Sequence, residues 1–142
     1  MKQKNALVTG AGRGIGRAIA LEHGANGYAV GVNYLHSKAG AQAVCDEIIA
    51  QGGKAMPLQA DVGKNAQLSA MFEEYFAAFG PIDLMVNNAG LSKFYPFLEV
   101  TEEQWQELTF SDWKGAFFGT QYAARNMVEH GKQGVIINIS SN

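Results

Sequence analysis

The sequence predicts an α/β protein with a doubly wound parallel sheet and helices on both of its faces. Short apolar runs alternate along the chain with segments whose apolar residues recur at helical spacing. Helical crossovers between consecutive strands make a parallel sheet. The run at 135–139 reads VIINI, and such continuous apolar composition is typical of strands that are buried on both faces.

Each element follows from its own local signal. Strands are predicted at 6–8, 28–34, 55–59, 83–86 and 135–139. Apolar stripes predict helices at 15–25, 41–49 and 68–79, and Gly-Gly and Gly-Pro pairs end the second and third. Thr101 and Gln104 match a capping box, which predicts a long helix toward His130 with a break near Gly115.

Composition limits the classes of function. A chain of 142 residues predicts a single domain, 1–142. The formal net charge of −2 gives no footprint for nucleic acid or an anionic membrane, and no apolar run approaches the roughly 20 residues of a spanning helix. Cys45 is the single cysteine, which favours a reducing compartment, and we expect the cytoplasm.

A glycine-rich turn follows the first strand. Residues 8–16 read VTGAGRGIG, between a predicted strand and a predicted helix. A helix N-terminus offers unpaired N–H groups and partial positive charge, and glycines let a diphosphate approach the backbone. The turn therefore predicts a dinucleotide site, with a tight turn that binds nothing as the alternative.

At this point the chain resembles the short-chain dehydrogenase/reductase family. The resemblance rests on the stretches TGAGRGIG at 9–16, DV at 61–62, NNAG at 87–90 and INISS at 137–141. It implies a Rossmann fold with strand order 3-2-1-4-5, a nicotinamide cofactor, a small carbonyl or alcohol substrate, and a homotetramer built partly through the long helix. The residues expected at the cofactor are Gly10, Gly12, Arg13, Gly14, Ile15, Gly16, Asn33, Tyr34, Ser37, Asp61, Val62, Asn88, Ala89 and Gly90.

The resemblance assigns roles to two of these stretches. Asp61 and the backbone N–H of Val62 would hold the adenine ring, although Asp61 also suits a helix N-cap. Residues 88–90 would border the ribose, whereas Asn87 is expected to brace the sheet.

The end of the second strand indicates the choice of cofactor. A carboxylate there would bind a ribose 2′-hydroxyl and repel a 2′-phosphate, but residues 33–38 read NYLHSK. Arg13 in the glycine turn suits a phosphate as a planar, permanent cation. We expect NADP(H), with NAD as the second choice; the alternative is that Arg13 and Lys38 are solvated surface charges.

Two residues are candidates for catalysis. By family spacing, Ser141 with Ser140 beside it would hydrogen-bond a substrate carbonyl. Asp112 occupies the position of a family asparagine, and an ionised aspartate cannot donate a hydrogen bond, so it holds a changed relay or is an exposed helix residue.

The family's Tyr-x-x-x-Lys pair is expected beyond Asn142, so we expect the natural protein to continue for about another hundred residues. Tyr34 and Lys38 have the same spacing, but they lie at the adenosine end and are rejected as proton donor and partner. Two functions stay open: an NADP(H)-dependent oxidoreductase, and a cofactor-binding protein without turnover. A nucleotide-sugar epimerase is disfavoured by the glycine spacing.

Overall fold

The computed structural model describes residues 3–140. The strands and helices alternate as predicted. The elements are β1 (Lys4–Val8), α1 (Gly14–Ala25), β2 (Tyr28–Tyr34), α2 (Lys38–Ala50), β3 (Lys54–Gln59), α3 (Asn65–Phe79), β4 (Leu84–Asn87), α4 (Glu102–Thr109), α5 (Gly115–Glu129) and β5 (Val135–Asn138). A single 3-10 turn (Phe97–Glu99) precedes α4, and a π-helical turn (Phe110–Lys114) joins α4 to α5.

The five strands form one parallel sheet in the order β3-β2-β1-β4-β5, which confirms the predicted topology. The order reverses direction at β1, where the chain goes first to β2 and β3 and later to β4 and β5. In open parallel sheets, the crevice at the carboxyl ends of the strands at such a reversal is where ligands bind.

Each face of the sheet has its own core. One face packs Val8, Val30 and Val32 against α1 and α2. The other packs Leu7 and Met85 against α3 and α5. Cys45 lies in the first core as a free thiol. Burial, and to a smaller extent the charge of Asp46, raises the pKa of this thiol to about 11.

The predicted strand ends shift by one or two residues. β1 begins at Lys4 rather than at Ala6. The apolar pattern does not include Asn5, which is polar, yet its side chain is buried within the strand. Its Nδ2 donates to the carbonyl oxygens of Phe79 at 2.6 Å and Pro81 at 3.0 Å, which offsets the desolvation of the amide nitrogen. Asp83 lies just before β4, where its carboxylate accepts from Asn5 N at 2.9 Å.

The long helix breaks as the sequence indicates. Thr101 Oγ1 accepts from Gln104 N at 3.3 Å and Gln104 Oε1 accepts from Thr101 N at 3.0 Å, which confirms the capping box. The break is the π-helical turn, and α5 begins at Gly115. Within residues 3–140, none of the helices combines the length and the apolar composition that a bilayer crossing requires.

Candidate functional site: a cleft at the carboxyl ends of the strands

A cleft of about 670 Å³ opens where β1, β2, β3 and β4 end. It brings together all the residues expected at the cofactor except Gly16. The lining residues are Gly10, Gly12, Arg13, Gly14, Ile15, Asn33, Tyr34, Leu35, His36, Ser37, Ala60, Asp61, Val62, Asn88, Ala89, Gly90, Leu91 and Ser111. Segments far apart in the sequence therefore converge on one crevice at the predicted edge of the sheet.

Two glycines of the turn require the freedom that glycine has. Gly10 has φ +61° and Gly14 has φ +57°, in the left-handed region that side chains disfavour. A Cβ on Gly10 would lie 2.9 Å from Ala89 Cα, so the loop after β4 rests directly on the turn. At Gly14 a Cβ would meet nothing within 4 Å, so there the backbone angle alone requires glycine.

Gly16 is buried in the first turn of α1 and does not line the cleft. A Cβ there would collide with the carbonyl oxygen of Gly10 and lie 2.5 Å from Asn88 Nδ2. We therefore interpret Gly16 as the residue that lets α1 pack onto the turn, rather than as a direct contact for a ligand.

Thr9 and Asn88 fasten the two loops together. Thr9 Oγ1 accepts from Asn88 N at 2.9 Å and from Ala89 N at 3.0 Å. Asn88 Nδ2 donates to the carbonyl oxygens of Thr9 at 3.0 Å and Gly10 at 3.2 Å. The glycine turn and the loop after β4 are thus one hydrogen-bonded unit.

Asn33 supports the turn from the side of β2. Its side chain is only 1% exposed, and its Oδ1 accepts from Gly10 N at 3.1 Å. Its Nδ2 donates to the carbonyl oxygens of Leu58 at 3.1 Å and Ala60 at 3.2 Å. The predicted binding residue therefore also positions the turn and the end of β3. Neighbouring Tyr34 is buried as well.

Asp61 does not cap α3, so the N-cap alternative is wrong. The helix begins at Asn65, and Lys64 is its N-cap residue. Asp61 Oδ1 accepts from Gly63 N at 3.0 Å instead, because the chain turns tightly before the helix starts. Val62 is buried against Gly115, where a Cβ would come within 2.7 Å of Val62 Cγ2.

Asn87 braces the sheet, as expected. Its Nδ2 donates to Thr120 Oγ1 at 3.0 Å and to Asn138 Oδ1 at 2.8 Å. The amide thus joins β4 to both α5 and β5. A Cβ on Gly119 would collide with Asn87 Oδ1, so α5 approaches β4 closely at this point.

Asp112 lies in the π-helical turn and faces the rim of the cleft. Its Oδ1 accepts from Leu91 N at 2.6 Å, and a Cβ on Gly90 would be 3.1 Å from the same oxygen. Although the residue is exposed, its carboxylate holds the chain after NNAG. A second contact holds the same segment, because Lys93 Nζ donates to Glu107 Oε1 at 2.6 Å. This hydrogen bond lowers the pKa of the Glu107 carboxyl.

Ser141 lies outside the described residues. Ser140 follows β5 and is exposed. The residues expected at the cofactor leave out five residues of the lining. They are Leu35, His36, Ala60, Leu91 and Ser111. Leu35 and His36 do carry a sequence signal, because they belong to the stretch at the end of β2 whose lack of a carboxylate indicates the choice of cofactor.

The sheet order and the helices on both faces define an α/β protein of the Rossmann type. The sequence matches the model of the short chain dehydrogenase family over residues 4–142. The chain therefore belongs to the short-chain dehydrogenase family.

Relatives in this family span a range of stated activities. The 3-oxoacyl-[acyl-carrier-protein] reductase FabG of Staphylococcus epidermidis is 41% identical over 138 residues, which are 97% of this chain and 56% of that protein. The hydroxynaphthalene reductase-like protein Arp2 of Metarhizium robertsii is 39% identical over 139 residues, 98% of this chain and 52% of that protein. The chain thus spans about half the length of the curated relatives it matches.

Solved structures show the same architecture. Acetoin dehydrogenase from Enterobacter cloacae is 38% identical with a TM-score of 0.93, over 99% of this chain and 56% of that one. A metagenomic short-chain oxidoreductase solved in complex with NADP is 34% identical with a TM-score of 0.92, over 98% of this chain and 62% of that one.

Proposed function

We propose that the protein carrying this chain is an NADP(H)-dependent oxidoreductase that interconverts a carbonyl and an alcohol. The observation that carries the proposal is the convergence of the glycine turn, Asp61–Val62 and Asn88–Gly90 on one cleft at the carboxyl ends of the strands. Family membership supports the same class of reaction.

The first turn of α1 fits a diphosphate. Arg13 is the N-cap residue, and within residues 3–140 its side chain makes no capping bond and the first turn holds no acidic residue. The first N–H groups of a helix have no intrahelical acceptor, so they can donate to a bound anion. The open space beside Gly14 leaves room for phosphate oxygens.

The end of β2 fits a 2′-phosphate better than a 2′-hydroxyl. Arg13 and Ser37 line this end of the cleft, and residues 33–38 contain no carboxylate. A guanidinium forms charge-assisted hydrogen bonds with phosphate, whereas NAD recognition ordinarily uses an acidic residue here.

When bound in the cleft, NADP(H) would supply the hydride for reduction or take it up for oxidation. Ser141 orients the substrate carbonyl and supports the negative charge that develops on its oxygen. Asp112 holds the backbone at Leu91, which sets the wall of the cleft on the substrate side.

Titration of the protein with NADPH and NADH tests the cofactor. We expect NADPH to bind at least about ten-fold more tightly, since the 2′-phosphate adds a charged contact of roughly 1.5–3 kcal/mol. Arg13→Ala should remove most of this preference and leave NADH binding unchanged. Arg17→Ala is the matched control, because Arg17 pairs with Glu47 at 2.7 Å. Tighter binding of NADH would overturn the assignment.

A panel of carbonyl substrates, followed through the oxidation of NADPH, tests turnover. Ser141→Ala should lower kcat by about 10²-fold or more without weakening NADPH binding. Ser140→Ala is the control and should keep most of the activity. Equal losses in both variants would exclude the specific role of Ser141.

A second function, cofactor binding without turnover, is favoured by one observation. Asp112 replaces the family asparagine, and its carboxylate accepts from Leu91 N but cannot donate while ionised. If NADPH binds and no carbonyl in the panel is reduced, Asp112→Asn tests the cause. Gain of turnover in that variant would identify the aspartate as the block.

We further propose a homotetramer with contacts on the long helix, and a cytoplasmic location. Trp105, Trp113 and Phe117 lie along the segments of the long helix and are 57%, 75% and 64% exposed, so this helix offers apolar side chains that a second copy can cover. Trp113→Gln should reduce the assembly measured by sedimentation. An unchanged sedimentation coefficient would argue against this surface.

A further inference from the structure

The turn between β3 and α3 is held by hydrogen bonds to both backbone groups of Asp61. Gln67 Oε1 accepts from Asp61 N at 2.8 Å, and the Asp61 carbonyl oxygen accepts from Lys64 N at 3.0 Å. In addition, Gly63 N donates to Asp61 Oδ1 at 3.0 Å. Three hydrogen bonds therefore fix Asp61, and one of them comes from a side chain of α3.

Gln67 is the third residue of α3. In a capping box, a glutamine at that position accepts from the backbone N–H of the N-cap residue. The N-cap residue here is Lys64, whose N–H already donates to Asp61 and whose side chain makes no capping bond within residues 3–140. The carboxamide of Gln67 therefore reaches three residues further back along the chain, and it holds Asp61 without using the Asp61 carboxylate as a cap.

The Asp61 carboxylate has accepting capacity left for a ligand. Asp61 lines the cleft, and its Oδ1 accepts from Gly63 N. Its Oδ2 lies 3.6 Å from Lys64 Nζ, which is too long for a hydrogen bond, and the Lys64 side chain is 67% exposed. An ionised carboxylate accepts at about four lone-pair positions. Asp61 can therefore accept from a donor that is bound in the cleft.

The turn is blocked on one side and open on the other. A Cβ on Gly63 would lie 3.0 Å from the carbonyl oxygen of Phe110, so the π-helical turn presses on it there. On the side of α3, a depression of about 480 Å³ adjoins the cleft, and Gln67 lines this depression rather than the cleft. The hydrogen bond from Gln67 thus holds the turn on the side where it has room to move.

The sheet order indicates which half of a dinucleotide Asp61 meets. In this type of fold the end of β2 recognises the ribose of the adenosine half. β3 lies beside β2, on the opposite side of β1 from β4 and β5. Asp61, which follows β3, is therefore next to the adenosine half. The amino group at C6 of adenine is a hydrogen-bond donor, which suits a carboxylate.

We propose that Gln67 is a positioning residue that gives the cleft its selectivity for adenine over hypoxanthine. It acts through Asp61, whose backbone N–H it holds, and does not itself touch the cofactor. This inference rests on the proposed dinucleotide site. Hypoxanthine has a carbonyl oxygen at C6 in place of the amino group, and two acceptors that face each other repel. The discrimination depends on where the Asp61 carboxylate lies, and Gln67 sets that position.

The probes are NADPH and the analogue in which hypoxanthine replaces adenine, or the corresponding NADH pair if NADH binds more tightly. The wild type should bind the adenine form at least about ten-fold more tightly. Gln67→Met has a similar length and helix propensity but no carboxamide oxygen, and it should lower this ratio by about three- to ten-fold. Gln67→Glu keeps an oxygen acceptor at the same reach and should restore the ratio. Its added charge affects both probes equally.

Glu74→Met is the matched control. Glu74 is exposed, lies two helical turns after Gln67 on the same face of α3, and lines the same depression. Its replacement by the same side chain should leave the ratio unchanged. A loss as large as that of Gln67→Met would assign the effect to the surface of α3 in general and would overturn the role of Gln67.

The role of Gln67 is also overturned by an equal ratio in the wild type and Gln67→Met, or by a Gln67→Glu variant that does not recover it. A wild type that binds both probes equally well has the same consequence, since Asp61 then recognises no amino group. In each of these cases the proposed function survives, because the wild type still binds the dinucleotide. If the wild type binds neither NADPH nor NADH, both proposals fail together.

Discussion

Strands β2 and β5 have similar apolar sequences but different surroundings. β2 reads YAVGVNY and is buried from Ala29 to Tyr34, whereas β5 reads VIIN and leaves Val135 56% exposed and Ile137 39% exposed. β2 has strand neighbours on both sides and helices on both faces. β5 pairs with β4 on one side, and in the described part of the chain its other edge has no strand partner.

The difference shows what an apolar run does and does not predict. Composition indicates that a strand can be buried on both faces. Which atoms cover it depends on elements elsewhere in the fold. Burial at β2 is also what allows Asn33 to act on the glycine turn, since a buried amide must use its hydrogen-bonding groups within the protein.

The largest expected effect comes from enlarging a residue of β2. A Cβ on Gly31 would already lie 2.8 Å from Leu7 Cδ1 and 2.8 Å from Tyr75 Cδ2. Gly31→Leu should therefore lower the free energy of unfolding by roughly 3 kcal/mol or more, measured by urea titration. Ile137→Phe, which enlarges an exposed side chain of β5, should cost less than about 1 kcal/mol. If the two substitutions lowered the unfolding free energy by similar amounts, the contrast in burial between β2 and β5 would be wrong.

The second-largest expected effect on stability comes from removing the side-chain amide of Asn33. Asn33→Ala leaves Gly10 N and the carbonyl oxygens of Leu58 and Ala60 without this partner, at a cost of roughly 2–4 kcal/mol in unfolding free energy. NADPH binding should weaken as well, because the glycine turn loses its support. Asn138→Ala in β5 loses the contact with Asn87 on an exposed side chain and should cost about 1 kcal/mol or less. If Asn138→Ala were the more damaging change, the amide at Asn33 would not be the stronger brace.

A third substitution tests whether another surface of the protein packs on β5. Val135→Thr keeps a β-branched side chain and changes one exposed methyl group to a hydroxyl. On the exposed strand it should change the unfolding free energy by less than about 0.5 kcal/mol. A loss above about 1.5 kcal/mol in the protein carrying this chain would reveal that another surface packs on β5.

The smallest expected effect is on the pH dependence of stability, and it comes from a histidine that lies beside β2. His23 of α1 packs against Tyr28 with ring centroids 5.3 Å apart and the rings tilted by 39°. Burial lowers the pKa of His23, although Glu22 opposes the shift. The unfolded chain therefore takes up a proton more readily than the folded one. Stability should fall as pH decreases through about 6.5 toward the folded pKa, and be unaffected at higher pH. His23→Gln should abolish this part of the decline in unfolding free energy between pH 7.5 and 5.5. An identical decline in both proteins would assign it to other groups.

Much of the fold follows from local patterns, because apolar spacing and helix-ending signals act over a few residues. The strands at 28–34 and 135–139, the capping box at Thr101 and the role of Asn87 are examples. The alternative in which Asp61 is the N-cap of α3 was wrong, because the tight turn at Gly63 delays the start of α3.

Other features depend on contacts that local patterns do not contain. The burial of Asn5 requires carbonyl groups that lie more than seventy residues away in the sequence. The bond from Leu91 N to Asp112 and the close approach of Gly12 to α2 likewise join separate elements. The cofactor-contacting residues stay predictions, and Ser141 lies outside the described residues.

The π-helical turn between α4 and α5 makes this region sensitive to chain length rather than to side-chain identity. Each α-helical residue advances about 100° around the helix axis, and a π-helical turn is wider than an α-helical one. This turn therefore sets the direction in which α4 faces relative to α5. Regular α-helical winding of the same five residues, 110–114, would swing α4 by about a quarter of a circle. Glu107 would then point away from Lys93, and the segment beside the cleft would lose that anchor.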